Sequence, residues 1–291
     1  MDLSHWLQLL YSGITWGAIY ALVALGFTTI YNASNIINFA QGEFVMLGGF
    51  LMVFFLKSVK LPYFLASVLS VIVVALIGLA IHLLVIRPLK RSSILISILA
   101  TLGVSIFLRN TSMIIWGSDP LTFSPISKGG PLSLGGATIS FQDLWVIGIT
   151  LSILVFLYLL SNHTLIGKAM KASSSDPLAA NLIGISTNMI VFYAFGISAA
   201  VGAVAGIFIT PIFFVSYSTG TIIGLKGFVA AVIGGWGKST GAVIGGFLLG
   251  IVEALSIGFI SAGYKNAVTF LALLAILYFV PKGILGSTET D

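Results

Sequence analysis

The chain of 291 residues contains no cysteine. That excludes disulfides, thiolate metal sites and cysteine catalysis, and leaves the redox compartment unread. Charge is almost as scarce. Only 7% of residues are Asp, Glu, Lys or Arg, against 58% hydrophobic, and the mean hydropathy is +1.14. Soluble domains carry roughly 25% charged residues, so this chain has too little polar surface to face water all round. Its solvent is lipid. Thirteen Lys and Arg exceed eight Asp and Glu, giving +5. These bases sit singly or in small groups between apolar runs, as membrane-topology signals do, and do not form a nucleic-acid footprint. No polar stretch exceeds loop size, so no soluble domain with its own core is expected. No His, Asp and Glu spacing suggests a metal, and no Ser–His–acid set is readable, which argues against an enzyme. The opening MDLSHWLQLLYSG lacks a basic region and a cleavage site and is taken as the start of the mature protein.

Apolar runs fill the rest. They cover residues 7–30, 43–56, 62–86, 94–116, 144–160, 189–214, 241–260 and 267–280, with a short Gly-rich run at 224–236. A spanning helix needs about 20 apolar residues, and lipid satisfies no free backbone group, so these runs predict an all-α polytopic membrane protein. The alternation a β-barrel requires is not visible. The span count is eight if 224–236 is re-entrant and nine if it crosses. Arg87, Lys90 and Arg91 follow the third span, and Lys168 and Lys171 the fifth, so both loops read as cytoplasmic. The loop 117–142 and the N-terminus then lie outside. Lys57, Lys60 and Lys265 run against this pattern. Trp6, Trp16, Trp116 and Trp145 fall near span ends, as an aromatic belt would place them.

The stretch GGWGKSTGAVIGG, residues 234–246, ends like a phosphate-binding loop. Such a loop requires glycine at position 232, which is Val232, and a soluble strand–loop–helix around it. Neither condition holds, so the stretch is read as a turn between membrane segments. Its glycines have another use. Gly241 and Gly245 lie four apart, and Ala242, Gly246, Gly250 and Ala254 continue on an adjacent line. Ser198, Gly202, Gly206 and Thr210 repeat the spacing. Four-residue spacing stacks small residues on one helix face, where another helix can approach closely. That helix belongs either to this chain or to a partner subunit.

Three stretches carry a family resemblance. They are IINFAQGEFVMLGGF at 36–50, GLKGFVAAVIGGWGKSTGAVIGGFLLGIVE at 224–253, and LYFVPKGILG at 277–286. In order along the chain they resemble the LivH-type permeases of branched-chain amino acid ABC importers. The resemblance implies a single transmembrane permease domain over residues 1–291 with a type II-like ABC importer fold. It also implies a LivM-type second permease, two cytoplasmic ATPase subunits of LivG/LivF type that hold ATP and Mg, and an extracytoplasmic binding protein. No cofactor falls to this chain. Relatives of this kind move leucine-like amino acids, urea or short amides. The alternatives are a secondary transporter or channel acting alone, or a sugar permease of the related ABC group.

The loop 167–185 reads as a short cytoplasmic helix. Asp176 or Ser175 offers an N-cap, Pro177 suits the first turn, and Gly184 is a stop. Ser186 or Thr187 then caps the next span. By resemblance, residues 171–185 form the coupling helix that docks on an ATPase subunit through a small-residue face, with Ala172, Asp176, Pro177, Ala180 and Gly184 as its pattern. Serines stand where acidic residues are often seen. A solvated loop with a helical turn is the plain alternative.

Intramembrane ionisable groups are functional candidates. Asn35, Asn38, Gln41 and Glu43 cluster at an expected helix break near the membrane surface, lining or gating a path. The preferred reading of Glu43 itself is a helix cap stabilised by the helix dipole. Glu253, deeper in its span, is expected to pair with Arg109 or with the partner permease. Arg109 and Asn110 are expected to snorkel. His82 is read as packing or interfacial, and His5 and His163 as exposed.

Overall fold

A computed structural model of the chain describes residues 3–89, 93–127 and 129–286. Lys90 and Arg91, used above for orientation, lie outside the described residues. Eleven α-helices and one small hairpin make up the described fold. They are α1 (Leu3–Ser34), α2 (Gln41–Val53), α3 (Tyr63–Ile81), α4 (Ile94–Trp116), β1 (Leu132–Leu134), β2 (Ala137–Ile139), α5 (Phe141–His163), α6 (Leu165–Ser175), α7 (Pro177–Leu182), α8 (Thr187–Phe213), α9 (Thr219–Gly234), α10 (Ser239–Phe259) and α11 (Lys265–Phe279). Among the described residues, eight helices are long and apolar enough to cross a membrane, some with short wider-turn extensions. The ninth apolar helix, α9, has only 16 residues.

α1 is the axis of the bundle. It is buried along most of its length, while α4, α5 and α11 are largely exposed. Two cores result. One joins α1, α9 and α10 with one face of α8, and the other joins α2, α3 and the opposite face of α8.

Contacts between ends settle the direction of each span. The break after α1 places Asn35 beside α6, where its Nδ2 donates to the Ser174 carbonyl at 2.8 Å. The turn after α9 returns to the same end, since the Trp236 ring lies 5.3 Å from Tyr31. Residues after α11 arrive there too, where the Ile284 N–H donates to the Ile233 carbonyl. At the opposite end Leu121 pairs with Val215, and Trp116 stacks on Phe50 at 5.0 Å. α9 therefore starts in the interior beside Gly42 and Glu43 and runs to the Tyr31 end, and non-helical residues 214–218 link it to the far end of α8. The described residues make nine crossings, which removes the re-entrant reading.

The basic residues divide accordingly. Arg87, Lys168, Lys171, Lys238 and Lys282 lie at the α6–α7 end, and Lys57, Lys60 and Lys265 at the other. The excess marks the α6–α7 end as cytoplasmic. The aromatic-belt expectation needs one correction. Trp16 stacks on Phe213 at 3.8 Å and holds α1 against α8, so it is a packing residue.

In this cysteine-free chain, Lys238→Cys should react with a membrane-impermeant maleimide in inverted vesicles and not in intact cells. Lys60→Cys should show the reverse. Labelling of Lys238→Cys from outside would require an even number of crossings.

Candidate functional site

Lipid offers no partner to an open backbone, so a break in a spanning helix must be covered by protein. Residues 35–40 form such a break, and it runs deeper than the membrane surface expected for it. Asn35 has φ +55, which ends α1, and α2 begins at Gln41 in the interior. Gln41 sits against Gly26 of α1, where any side chain would collide with its amide. Its Nε2 donates to the Ser198 carbonyl at 3.2 Å, and its Oε1 accepts from Ser198 Oγ at 2.5 Å. Ser198 Oγ also reaches the Gly26 carbonyl. Gln41 thus ties the start of α2 to α1 and α8. The Phe39 N–H donates to Thr101 Oγ1 of α4, which covers the break from the other side.

Asn38 is fully buried. Its Oδ1 accepts from the Ala40 N–H, and its Nδ2 has no partner. Glu43 is also fully buried. Its Oε1 accepts from Ser105 Oγ of α4 at 2.9 Å and from Thr221 Oγ1 of α9 at 3.2 Å, while its Oε2 has no partner. The capping expectation for Glu43 is corrected here. It lies in the first turn of α2, but no side chain caps that helix, and its carboxylate reaches across to two neighbours.

Glu253 has a different fate. It is 2% exposed and forms an ion pair with Lys226 of α9, itself 5% exposed. Tyr20 Oη of α1 donates to the second carboxylate oxygen, and Lys226 Nζ also reaches that hydroxyl at 3.2 Å. The expected partners, Arg109 or a second permease, are replaced by a lysine of this chain. Lys226 was not singled out from sequence. A cation inside one apolar run and an acid inside the next were the available signal.

The small-residue lines are filled within the chain. Gly202 and Gly206 of α8 lie on α2, where a Cβ on Gly206 would strike the Val45 carbonyl. Gly241 and Gly245 of α10 lie on α9, against Gly234 and Ala230. Gly246 and Gly250 lie on α1, against Ala21, Gly13 and Gly17. α10 is thus wedged between α1 and α9 on two glycine lines, and these lines are closed to a partner subunit.

At the cytoplasmic end α6 and α7 form a ledge. Asp176 caps α7, its Oδ1 accepting the Leu178 and Ala179 N–H groups at 2.9 and 3.0 Å. Pro177 opens the helix and Gly184 ends it at φ +88. The expected small-residue docking face is corrected. Ala180 turns inward and Ala172 is half-buried, while Leu178, Leu182 and Ile183 stand out at 79%, 89% and 74% exposure. α6 is pinned to the end of α1 by the Asn35 bond and by Ser173 Oγ, which donates to the Ala33 carbonyl. Asn35 therefore belongs to this junction and not to the interior cluster. Beside it lies a cavity of about 240 Å³ lined in part by His82, Arg87, Ser173 and Asn188. His82 packs on Phe192 and Phe195.

Comparison with known proteins fits this geometry. The family profile described as branched-chain amino acid transport system / permease component matches residues 9–277. The high-affinity branched-chain amino acid transport system permease protein BraD of Pseudomonas aeruginosa is 34% identical, covering 100% of this chain and 99% of its own. The corresponding LivH protein of Escherichia coli K12 is 32% identical over 99% and 97%. A probable LivH of Methanocaldococcus jannaschii is 28% identical over 96% and 92%.

Breaking a buried ion pair costs about 3–5 kcal/mol, because the remaining charge stays in low dielectric. Lys226→Met and Glu253→Gln should each lower the melting temperature in detergent markedly. The double variant Lys226→Met/Glu253→Gln should recover most of the loss. Additive losses in the double variant would show that the two residues act independently.

Proposed function

We propose a function from one premise: the chain belongs to the family of permease components of branched-chain amino acid transport systems. It is a multi-pass protein of the cell membrane, and it translocates branched-chain amino acids inward as one subunit of an ATP-driven importer. It carries no ATPase site of its own. ATP and Mg are held by two cytoplasmic ATPase subunits of LivG/LivF type. A LivM-type permease forms the other half of the pathway, and an extracytoplasmic binding protein delivers substrate.

The observation that carries this reading is the α6–α7 ledge. Three exposed apolar side chains at a cytoplasmic end have no reason to face water, and a ledge capped at both ends is a rigid docking element. Leu178, Leu182 and Ile183 seat in an ATPase subunit. Movement of that subunit reaches the pathway through α6, because Ser173 and Ser174 bond the end of α1 beside the break. The relatives at 32–34% identity are named for branched-chain amino acids over nearly their full length, which favours that cargo over urea, short amides or sugars.

The assembled complex in vesicles should take up leucine only when ATP is supplied, and ionophores should leave uptake unchanged. Uptake without ATP that collapses with ionophore would overturn the reading. Leu182→Asp or Asp176→Lys should abolish substrate-stimulated ATPase activity while the chain still inserts and folds. Loss of the Asp176 cap alone destabilises α7 by about 1 kcal/mol. Full stimulation in both variants would detach α7 from coupling.

A further inference from the structure

The interior cluster has an unfilled valence, and its surroundings indicate what fills it. Residues 37–43 run along α4 on one side and α9 on the other. Phe39 meets Thr101 of α4 and the Phe228 ring of α9, the latter at 5.5 Å. One helical turn further out, Glu43 meets Ser105 of α4 and Thr221 of α9. Half-buried Ile37 and Phe39 thus form the floor of a groove whose walls are α4 and α9, with Asn38 and Glu43 fully buried beneath it.

Helix geometry identifies the walls. On α9, Thr221, Leu225 and Phe228 share one face, and Leu225 is 41% exposed between two residues that touch the floor. On α4, successive residues turn about 100°, so Val104 and Leu108 fall on one side of Ser105, and Leu102 and Arg109 on the other. Val104 and Leu108 pack into the core of α2, α3 and α8. α9 packs into the other core, with α1 and α10. Leu102 and Arg109 therefore stand on the α9 side. Arg109 is half-buried and about 6 Å beyond Ser105 along the helix.

A buried carboxyl group and a fixed cation therefore flank the groove without touching. Among the described residues the ion pair is Lys226 with Glu253, and Arg109 makes none with Glu43. Glu43 Oε2 lies unpartnered beneath the α-carbon of Gly220, where any side chain would collide with it. Asn38 Nδ2 is a second unpartnered buried atom, a donor. A buried carboxylate oxygen and a buried amide without partners are costly unless a ligand serves them in the working cycle.

We propose that this groove is the intramembrane binding site for the zwitterion of a branched-chain amino acid. Glu43 receives the ammonium and Arg109 the carboxylate. Leu102 and Leu225 hold the aliphatic side chain. The proposal rests on the transport reading above and adds the residues of this chain that hold the cargo. Each charged end of the substrate then has a polar partner inside the bilayer, which offsets its loss of water. Glu43 also bridges the two walls through Ser105 and Thr221. An ammonium arriving at this carboxylate competes for the same oxygens and loosens that bridge as it binds. The second permease closes the open side of the groove.

The test uses the assembled complex in vesicles with a diazirine-bearing leucine analogue. Light should attach the label to peptides of α4 and α9 that contain Leu102 and Leu225, and excess leucine should prevent it. Glu43→Gln and Arg109→Gln should each reduce labelling and ATP-driven leucine uptake about tenfold or more, as loss of a charge-assisted bond implies. Glu43→Asp and Arg109→Lys should retain part of both. Label found elsewhere, or unchanged in both Gln variants of a complex that still assembles, would overturn the site while leaving the transport reading intact. Leucine uptake by the unaltered complex that needs no ATP would remove the transport reading, and this site with it.

Discussion

Lipid supplies no hydrogen-bond partner, and the break between α1 and α2 is where this chain meets that constraint most sharply. Backbone at residues 35–40 cannot be left open. Thr101 of α4 serves the Phe39 N–H, Ser34 and Asn38 serve those of Ile36 and Ala40, and Ser198 of α8 holds the Gln41 side chain against Gly26 of α1. That requirement draws α1, α4 and α8 around the start of α2. Close approach then needs small residues, and Gly26, Gly42, Gly202 and Gly220 stand where side chains would collide. In lipid, such contact replaces the hydrophobic effect as the source of helix association. The glycine content and the broken helix are two sides of one arrangement.

The two buried acids answer the same constraint differently. Glu253 is served by Lys226 and Tyr20, so both charges are compensated inside the core and α1, α9 and α10 are held as one block. Glu43 has hydroxyl donors on one oxygen and nothing on the other. A complete network rigidifies, and an incomplete one is poised to accept a ligand. The satisfied pair lies in the block that α10 wedges together, whereas the unsatisfied acid lies where two walls of a groove meet.

Hydropathy alone located the long spans, because about 20 apolar residues have few other uses. The four-residue spacing of Gly241, Gly245, Gly246 and Gly250 predicted close approach, but not that two neighbouring lines would grip two different helices of the same chain. Spacing is a property of one helix, and the partner is a property of the bundle. Likewise Asp176, Pro177 and Gly184 were legible as cap, first turn and stop, since capping is local. The outward direction of Leu178 and Leu182 was not, because it depends on where Ala180 finds a core. Lys226 and Glu253 are 27 residues apart and on different helices, so only the fold pairs them. The extent of α9 was hidden for a related reason. The outer part of this crossing is made by the non-helical residues 214–218, which carry no helical signal.

The break also explains how a movement at the cytoplasmic end could reach the interior. An unbroken helix would carry a push along its axis into every neighbour packed on it. Here α6 is bonded to the last residues of α1, through Ala33 and Asn35, and the chain then turns into five residues, 36–40, whose N–H groups make no helical hydrogen bond. Their dihedrals can change without breaking a helical ladder, which makes the break the place where α2 would shift against α1. What resists that shift is the Gln41–Ser198 contact and the bridge from Glu43 to Ser105 and Thr221. Both resisting contacts are polar and specific, and both lie within two turns of the break. On the proposed reading, coupling needs no long path: it would run from Ser174 to Asn35, along the non-helical residues 36–40, to a carboxyl group whose hydrogen bonds tie α4 to α9.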